Sequence, residues 1–239
     1  MTNFDQSNIY QSAEFQQELA IQRTFMARVY GWMTIGLLVT ALTALAVASV
    51  PQLAQIFLGN PAVAIGLLVA YLVIGIGFNF FVRKLPATLA AALFILFSTV
   101  TGLVISGIFL AYTMDSIAAT FFITAGMFGG MSLFGYVTKR SLDGIGSFCM
   151  MGLWGVLIAM IVNIFLRSSG MDWIISFIGV IVFTGLTAYD TQKIKQSYAV
   201  GAEGSAAYQK TALFGAFALY LDFINLFLFL LRLMGSRRN

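Results

Sequence analysis

The chain has 239 residues, of which 60% are hydrophobic and 9% charged, with a net charge of +4. Soluble domains carry about 25% charged residues, so this composition excludes a water-covered surface and expects lipid around most of the protein. One cysteine and no histidine exclude an intrachain disulfide, a Cys/His zinc site and a histidine-activated nucleophile.

The first residues, "MTNFDQSNIYQSAEFQQELAIQRTFMARVY", carry three acids and many glutamines ahead of any apolar run. A signal peptide has a short basic region followed by a short apolar core, and none is expected here. Residues 1–28 read as a polar cytoplasmic arm, with residues 15–29 forming either a short amphipathic helix at the interface or part of a disordered tail.

A membrane-crossing helix needs about 20 mostly apolar residues. Seven stretches qualify: residues 29–50, 61–82, 87–111, 116–137, 145–166, 173–192 and 211–233. Pro51 and "GNP" at 59–61 separate the first two, and "RKLP" at 83–86 ends the second. "YTMDS" at 112–116, "TKRSLDG" at 138–144 and "RSSGMD" at 167–172 divide the next ones, and "SYAVGAEGSAAYQK" at 197–210 is the longest loop. Outer-membrane strands are shorter and alternate polar with apolar residues, whereas these runs are continuous. The expected fold is therefore an all-α polytopic membrane protein with a seven-helix domain over residues 29–233 and a short basic tail over 234–239.

With the N-terminus inside, the inner segments hold Arg23, Arg28, Arg83, Lys84, Lys139, Arg140, Lys193, Lys195 and Lys210, while the outer loops hold only Arg167. Cytoplasmic loops are enriched in Lys and Arg, so a cytoplasmic (inner) membrane protein with a cytoplasmic N-terminus is expected. These short clusters suit membrane orientation better than a nucleic-acid interface, which wants a continuous basic stripe. Only Arg232, Arg237 and Arg238 disagree, since they fall outside if the seventh run spans. The run has no breaker after Gly215, and a full span is expected. Gly126 with Gly130, and Gly102 with Ser106, have the small-xxx-small spacing that lets helices approach closely.

Of the nine acids, only Asp190 and Asp222 lie inside expected spans. An aspartate near the bilayer centre costs about 2.5–3.5 kcal/mol to insert, and intramembrane acids normally face the bundle interior and mark ion or proton pathways. The structural alternative is a protonated aspartate that donates one helix–helix hydrogen bond. Gly215, Ala218, Asp222, Asn225 and Arg232 fall at helical spacings and form one small or polar stripe on an otherwise apolar helix. Such a helix belongs at the middle of the bundle. Thr187 and Thr191 flank Asp190, where hydroxyls can solvate a carboxylate or an ion.

Two carboxylates about 4 Å apart repel by about 4 kcal/mol at an effective dielectric near 20. A pair that meets therefore shares a proton and titrates as one unit, or takes a divalent cation in its place. Calcium wants six to eight oxygens, so Asp190 and Asp222 alone make a weak metal site that Asn225, threonine hydroxyls or water must complete. Depth opposes the meeting: counted from Gln192, Asp190 lies only a few Å deep, whereas Asp222 lies roughly 12–16 Å deep.

"GLTAYDTQKIK" at 185–195 and "LYLDFINLFLFLLRLMG" at 219–235 resemble the signature of the Bax-inhibitor family, and "RTFMARVYGWMTIGLL" with "AGMFGGMSLFGYVTKRSL" resembles its bacterial branch. The resemblance covers residues 23–235. It implies six helices around a central seventh and a passive, pH-sensitive calcium leak without a cofactor. It also implies that Asp190 and Asp222 form the pH sensor, with calcium bound close by. Arg83, at the inner end of the second helix, matches the family's latch to the sixth-helix aspartate. Some relatives carry an acid within the second helix, and residues 67–82 here contain none. The partners so implied are membrane lipid, calcium ions and protons, with no protein partner indicated.

An intramembrane aspartyl protease is the main alternative. It too uses two aspartates on neighbouring helices that share a proton, but its Gly-x-Gly-Asp sequence is missing, since "LYL" precedes Asp222. A proton-coupled transporter is less well supported, because no inverted repeat or pair of broken helices is evident. The protein is expected not to be an enzyme.

Overall fold

A computed structural model describes residues 3–82, 84–199 and 204–238, with side chains from residue 16 onward except that of residue 199. Its α-helices are α1 (Asn3–Ser49), α2 (Pro51–Leu58), α3 (Pro61–Phe81), α4 (Ala87–Ile105), α5 (Ile108–Ala111), α6 (Met114–Val137), α7 (Asp143–Leu166), α8 (Ser169–Gln196) and α9 (Ala206–Met234). A short 3₁₀ turn, Ser197–Ala199, follows α8. Seven segments are long and apolar enough to cross a membrane: Gln16–Ser49, Pro61–Phe81, Ala87–Ala111, Met114–Val137, Asp143–Leu166, Ser169–Gln196 and Ala206–Met234. The chain is a multi-pass, all-helical membrane protein.

The inner ends of three spans run past their expected limits. The first run is the last part of one helix that is continuous from Asn3, with no joint near residue 28. Its Gln, Glu, Ala, Leu and Met residues are good helix formers. Phe25, Met26 and Val29 are buried, and Phe25 meets the Tyr208 ring edge-on at 5.3 Å. Packing against α9 thus draws the end of the polar arm, from Phe25 onward, into the bundle. For the same reason α8 continues to Gln196 and α9 starts at Ala206, which shortens the loop expected over 197–210. The third run is interrupted, because Ser106 turns its hydroxyl onto the Leu103 carbonyl at 2.7 Å and Gly107 follows.

The seventh span is the inner helix. In its most apolar stretch 72% of residues are buried inside the protein, against 6% in α3. It packs on α1, α4, α6 and α8, while α7 leans on α8 and α3 on α4. Phe78 brings α3 to it, stacked on Phe217 at 4.2 Å. Thr40 gives its hydroxyl proton to the Ser98 carbonyl at 2.9 Å, so the Tyr220 hydroxyl, 2.6 Å away, donates to Thr40. This buried chain ties α1, α4 and α9 together. The stripe expected on α9 is less uniform than its spacing implies. Gly215 and Asp222 are buried, whereas Arg232 is exposed at the outer end.

Glycine packing divides. A methyl group on Gly102 would lie 2.6 Å from the Thr40 carbonyl, so α1 and α4 do touch there. Gly126 and Gly130 face open space, and the close approach expected at them is absent. The tight contact on α6 lies at Gly135 instead, where a methyl group would lie 2.2 Å from the Ala188 carbonyl oxygen of α8. The tail beyond α9 pairs with the α5–α6 turn: Thr113 donates to the Ser236 carbonyl at 3.1 Å, and the Arg238 amide to Ala111 at 2.9 Å. The seventh run therefore crosses fully, ending at the face opposite that of Lys193 and Lys195.

A buried carboxyl pair between the sixth and seventh spans

Antiparallel packing of α8 and α9 decides whether the two aspartates meet. Ile194 lies against Gly215, and Phe229 against Gly179. Helices pinned at these two points put position 190 opposite positions 218 and 219, about one helical turn from position 222. The Asp190 and Asp222 carboxyl groups lie close enough for each to act on the other. Two carboxyl groups brought to hydrogen-bond distance share a proton. The depth conflict is eased because the two helices do not end level: Ile194, two residues from the end of α8, lies against Gly215, nine residues into α9, so α9 projects further inward than α8. Asp190 is about 9 Å from the end of α8 rather than at it.

The two members differ in surroundings. Asp222 is only 4% exposed, and its Oδ2 has no hydrogen-bond partner among the described residues. Asp190 is half-buried, and Lys193 is close enough for its charge to act on it. Lys193 also lies over the Tyr189 ring, 5.4 Å from its centroid. The hydroxyls and amide expected to support the pair are engaged elsewhere. Thr187 donates to the Phe183 carbonyl, Thr191 to the Ser132 hydroxyl at 3.3 Å, and Asn225 to the Leu221 carbonyl. In an apolar environment a threonine or asparagine donor closes on a carbonyl of its own preceding turn, so proximity in sequence to Asp190 did not aim these groups at it. Arg83 lies outside the described residues.

Two features of the site escaped the sequence reading. Gln192 clamps the α6–α7 turn over the inner end of α8, accepting from the Leu142 amide and donating to the Arg140 carbonyl, both at 2.8 Å. Lys195 adds a bond to the Tyr136 carbonyl at 2.8 Å. Beside this cap, a groove of about 460 Å³ opens between α1 and α6, with Arg23, Tyr30, Ser132 and Tyr136 in its wall. Through the Ser132–Thr191 bond it comes within one hydrogen bond of the turn that carries Asp190. The sequence signal for the cap was a polar glutamine as the last residue of an expected span.

The carboxyl pair supplies two acidic oxygen ligands, and no third Asp, Glu, Cys or His joins it among the described residues. That donor set alone falls short of the six to eight oxygens that a resident calcium ion takes.

Seven spans around a buried acid pair define a polytopic membrane protein with an ionisable centre inside its helix bundle. The chain belongs to the Bax inhibitor family: the family model described as "Inhibitor of apoptosis-promoting Bax1" matches residues 22–239. It is 48% identical over 217 residues to inner membrane protein YbhL of Escherichia coli K12, covering 90% of this chain and 93% of that one. An uncharacterized protein of Borreliella burgdorferi is 42% identical over 224 residues, 94% of this chain and 97% of its own. The protein YrjE of Lactococcus lactis is 35% identical over 223 residues, 92% and 94% of the two chains.

Proposed function

We propose that the protein is a passive, pH-responsive leak for calcium ions across the inner membrane, controlled by Asp190 and Asp222. The supporting observation is the buried carboxyl pair with one oxygen of Asp222 unpartnered. While the pair holds its proton, α8 and α9 are joined at this point. Loss of the proton leaves two like charges in contact, repelling by about 4 kcal/mol at 4 Å and an effective dielectric near 20. Either the helices part or a divalent cation takes the proton's place. Both outcomes couple ion passage to pH without an energy source. Arg83, at the inner end of the second span, is the proposed latch toward Asp190. The location follows that of the relative YbhL, an inner membrane protein, and the lysine and arginine distribution supports a cytoplasmic N-terminus.

The test is calcium flux into liposomes containing the purified protein, measured across pH beside an assay for peptide cleavage. Flux should vary with pH, Asp222→Asn should abolish that variation, and no peptide should be cut. An Asp222→Asn protein with a normal pH response contradicts the sensor. Cleavage that depends on both aspartates replaces the leak with the protease.

A further inference from the structure

The end of the bundle opposite the carboxyl pair carries a second polar cavity, of about 720 Å³, walled by Arg167, Arg232, Arg237, Asp172 and Trp173 among others. Three guanidiniums thus face one carboxylate. The Asp172 carboxylate is already engaged, its Oδ1 accepting from the Asn163 amide at 2.6 Å. None of the three arginines forms an ion pair among the described residues, and Arg232 only lies over the Phe229 ring at 5.9 Å. The backbone beneath them is fixed. Arg167 caps α7 in a left-handed conformation with φ 50, and its amide donates to the Asn163 carbonyl at 2.8 Å. Arg237 sits between two tail residues bonded to the α5–α6 turn, its neighbour Ser236 also donating to the Ser116 hydroxyl at 2.8 Å. These are also the arginines that a cytoplasmic bias of positive charge does not explain.

We propose that this cavity binds a phosphoryl oxyanion. Arginine forks match phosphate oxygens in paired hydrogen bonds, and guanidiniums without carboxylate partners repel cations. Trp173, exposed and stacked on Phe177 at 5.5 Å, marks the interfacial belt where tryptophan concentrates. The cavity therefore lies at the level of lipid phosphates, and is also open to a free phosphate from water. The proposal does not depend on the calcium leak.

The full-length protein should be tested with two probes. Phosphatidylglycerol is titrated into phosphatidylcholine nanodiscs and its retention on the protein measured. Inorganic phosphate is titrated against the detergent-solubilised protein at fixed ionic strength. Binding of either supports the site: retention of the lipid alone assigns a headgroup, and binding of free phosphate alone assigns a soluble anion. Affinity should fall by about tenfold or more in Arg167→Gln/Arg237→Gln, since hydrogen bonds to charged groups are lost. In the unaltered protein, the bound probe should also protect Arg167 and Arg237 from an arginine-selective dicarbonyl. Absence of binding by both probes, equal binding by the double variant, or unchanged labelling overturns the proposal.

Discussion

Asp222 is the most demanding residue in the chain. It is almost fully buried in the inner helix and keeps one oxygen without a partner. Gly215 and Gly179 let α8 come close to it, and Gly135 lets α6 close on α8 from another side. A methyl group on Gly135 would meet the Ala188 carbonyl oxygen at 2.2 Å, two residues before Asp190. Gly135→Ala should therefore destabilise the protein by about 1–3 kcal/mol, the usual cost of overpacking, seen as a lower melting temperature in detergent. Gly126→Ala, which places its methyl group in open space, should change the melt little. Spacing alone could not separate these glycines. Both lie on α6 among small residues, and only the direction each faces distinguishes a helix contact from a lipid contact.

At the scale of elements, the middle spans were legible and the inner ends of three were not. Proline and charge punctuate the spans near residues 61, 86, 114, 138 and 167, and those helices end within a few residues of their expected limits. The helices α1, α8 and α9 continue beyond the apolar runs because they still pack on one another there, as Phe25 on Tyr208 and Ile194 on Gly215 illustrate. Hydropathy reports where lipid stops, not where the helix stops. Asp190 looked too shallow to reach Asp222 because counting from apolar ends assumes level helices, whereas α9 projects inward past the end of α8. The inner cap is carried by Gln192, whose amide makes both of its bonds to the α6–α7 turn. Gln192→Ala should lower stability by about 1–3 kcal/mol and raise amide exchange at residues 140–142, whereas unchanged exchange there would rule out the clamp.

For the whole molecule, the polar centre and the arginine cavity lie toward opposite faces. The tail is fixed to the α5–α6 turn, so a reporter fused after Asn239 should be active on the outer side, and one fused before Met1 on the cytoplasmic side. Matching reporters on one side contradict the seven-span crossing. The two candidate acids were readable from the sequence, since a chain with 9% charged residues places only two acids inside expected spans, but their approach was not. Nor was the identity of their supports, because Thr187 and Asn225 spend their donors on their own helices.

The central claim is that the two carboxyl groups act as one unit on ion passage. A double-mutant cycle on pH-dependent calcium flux in liposomes tests it most directly, using Asp190→Asn, Asp222→Asn and the double variant. Coupled groups predict that each single variant loses the pH response as completely as the double does. Independent, additive losses, or a pH response that survives in the double variant, contradict it.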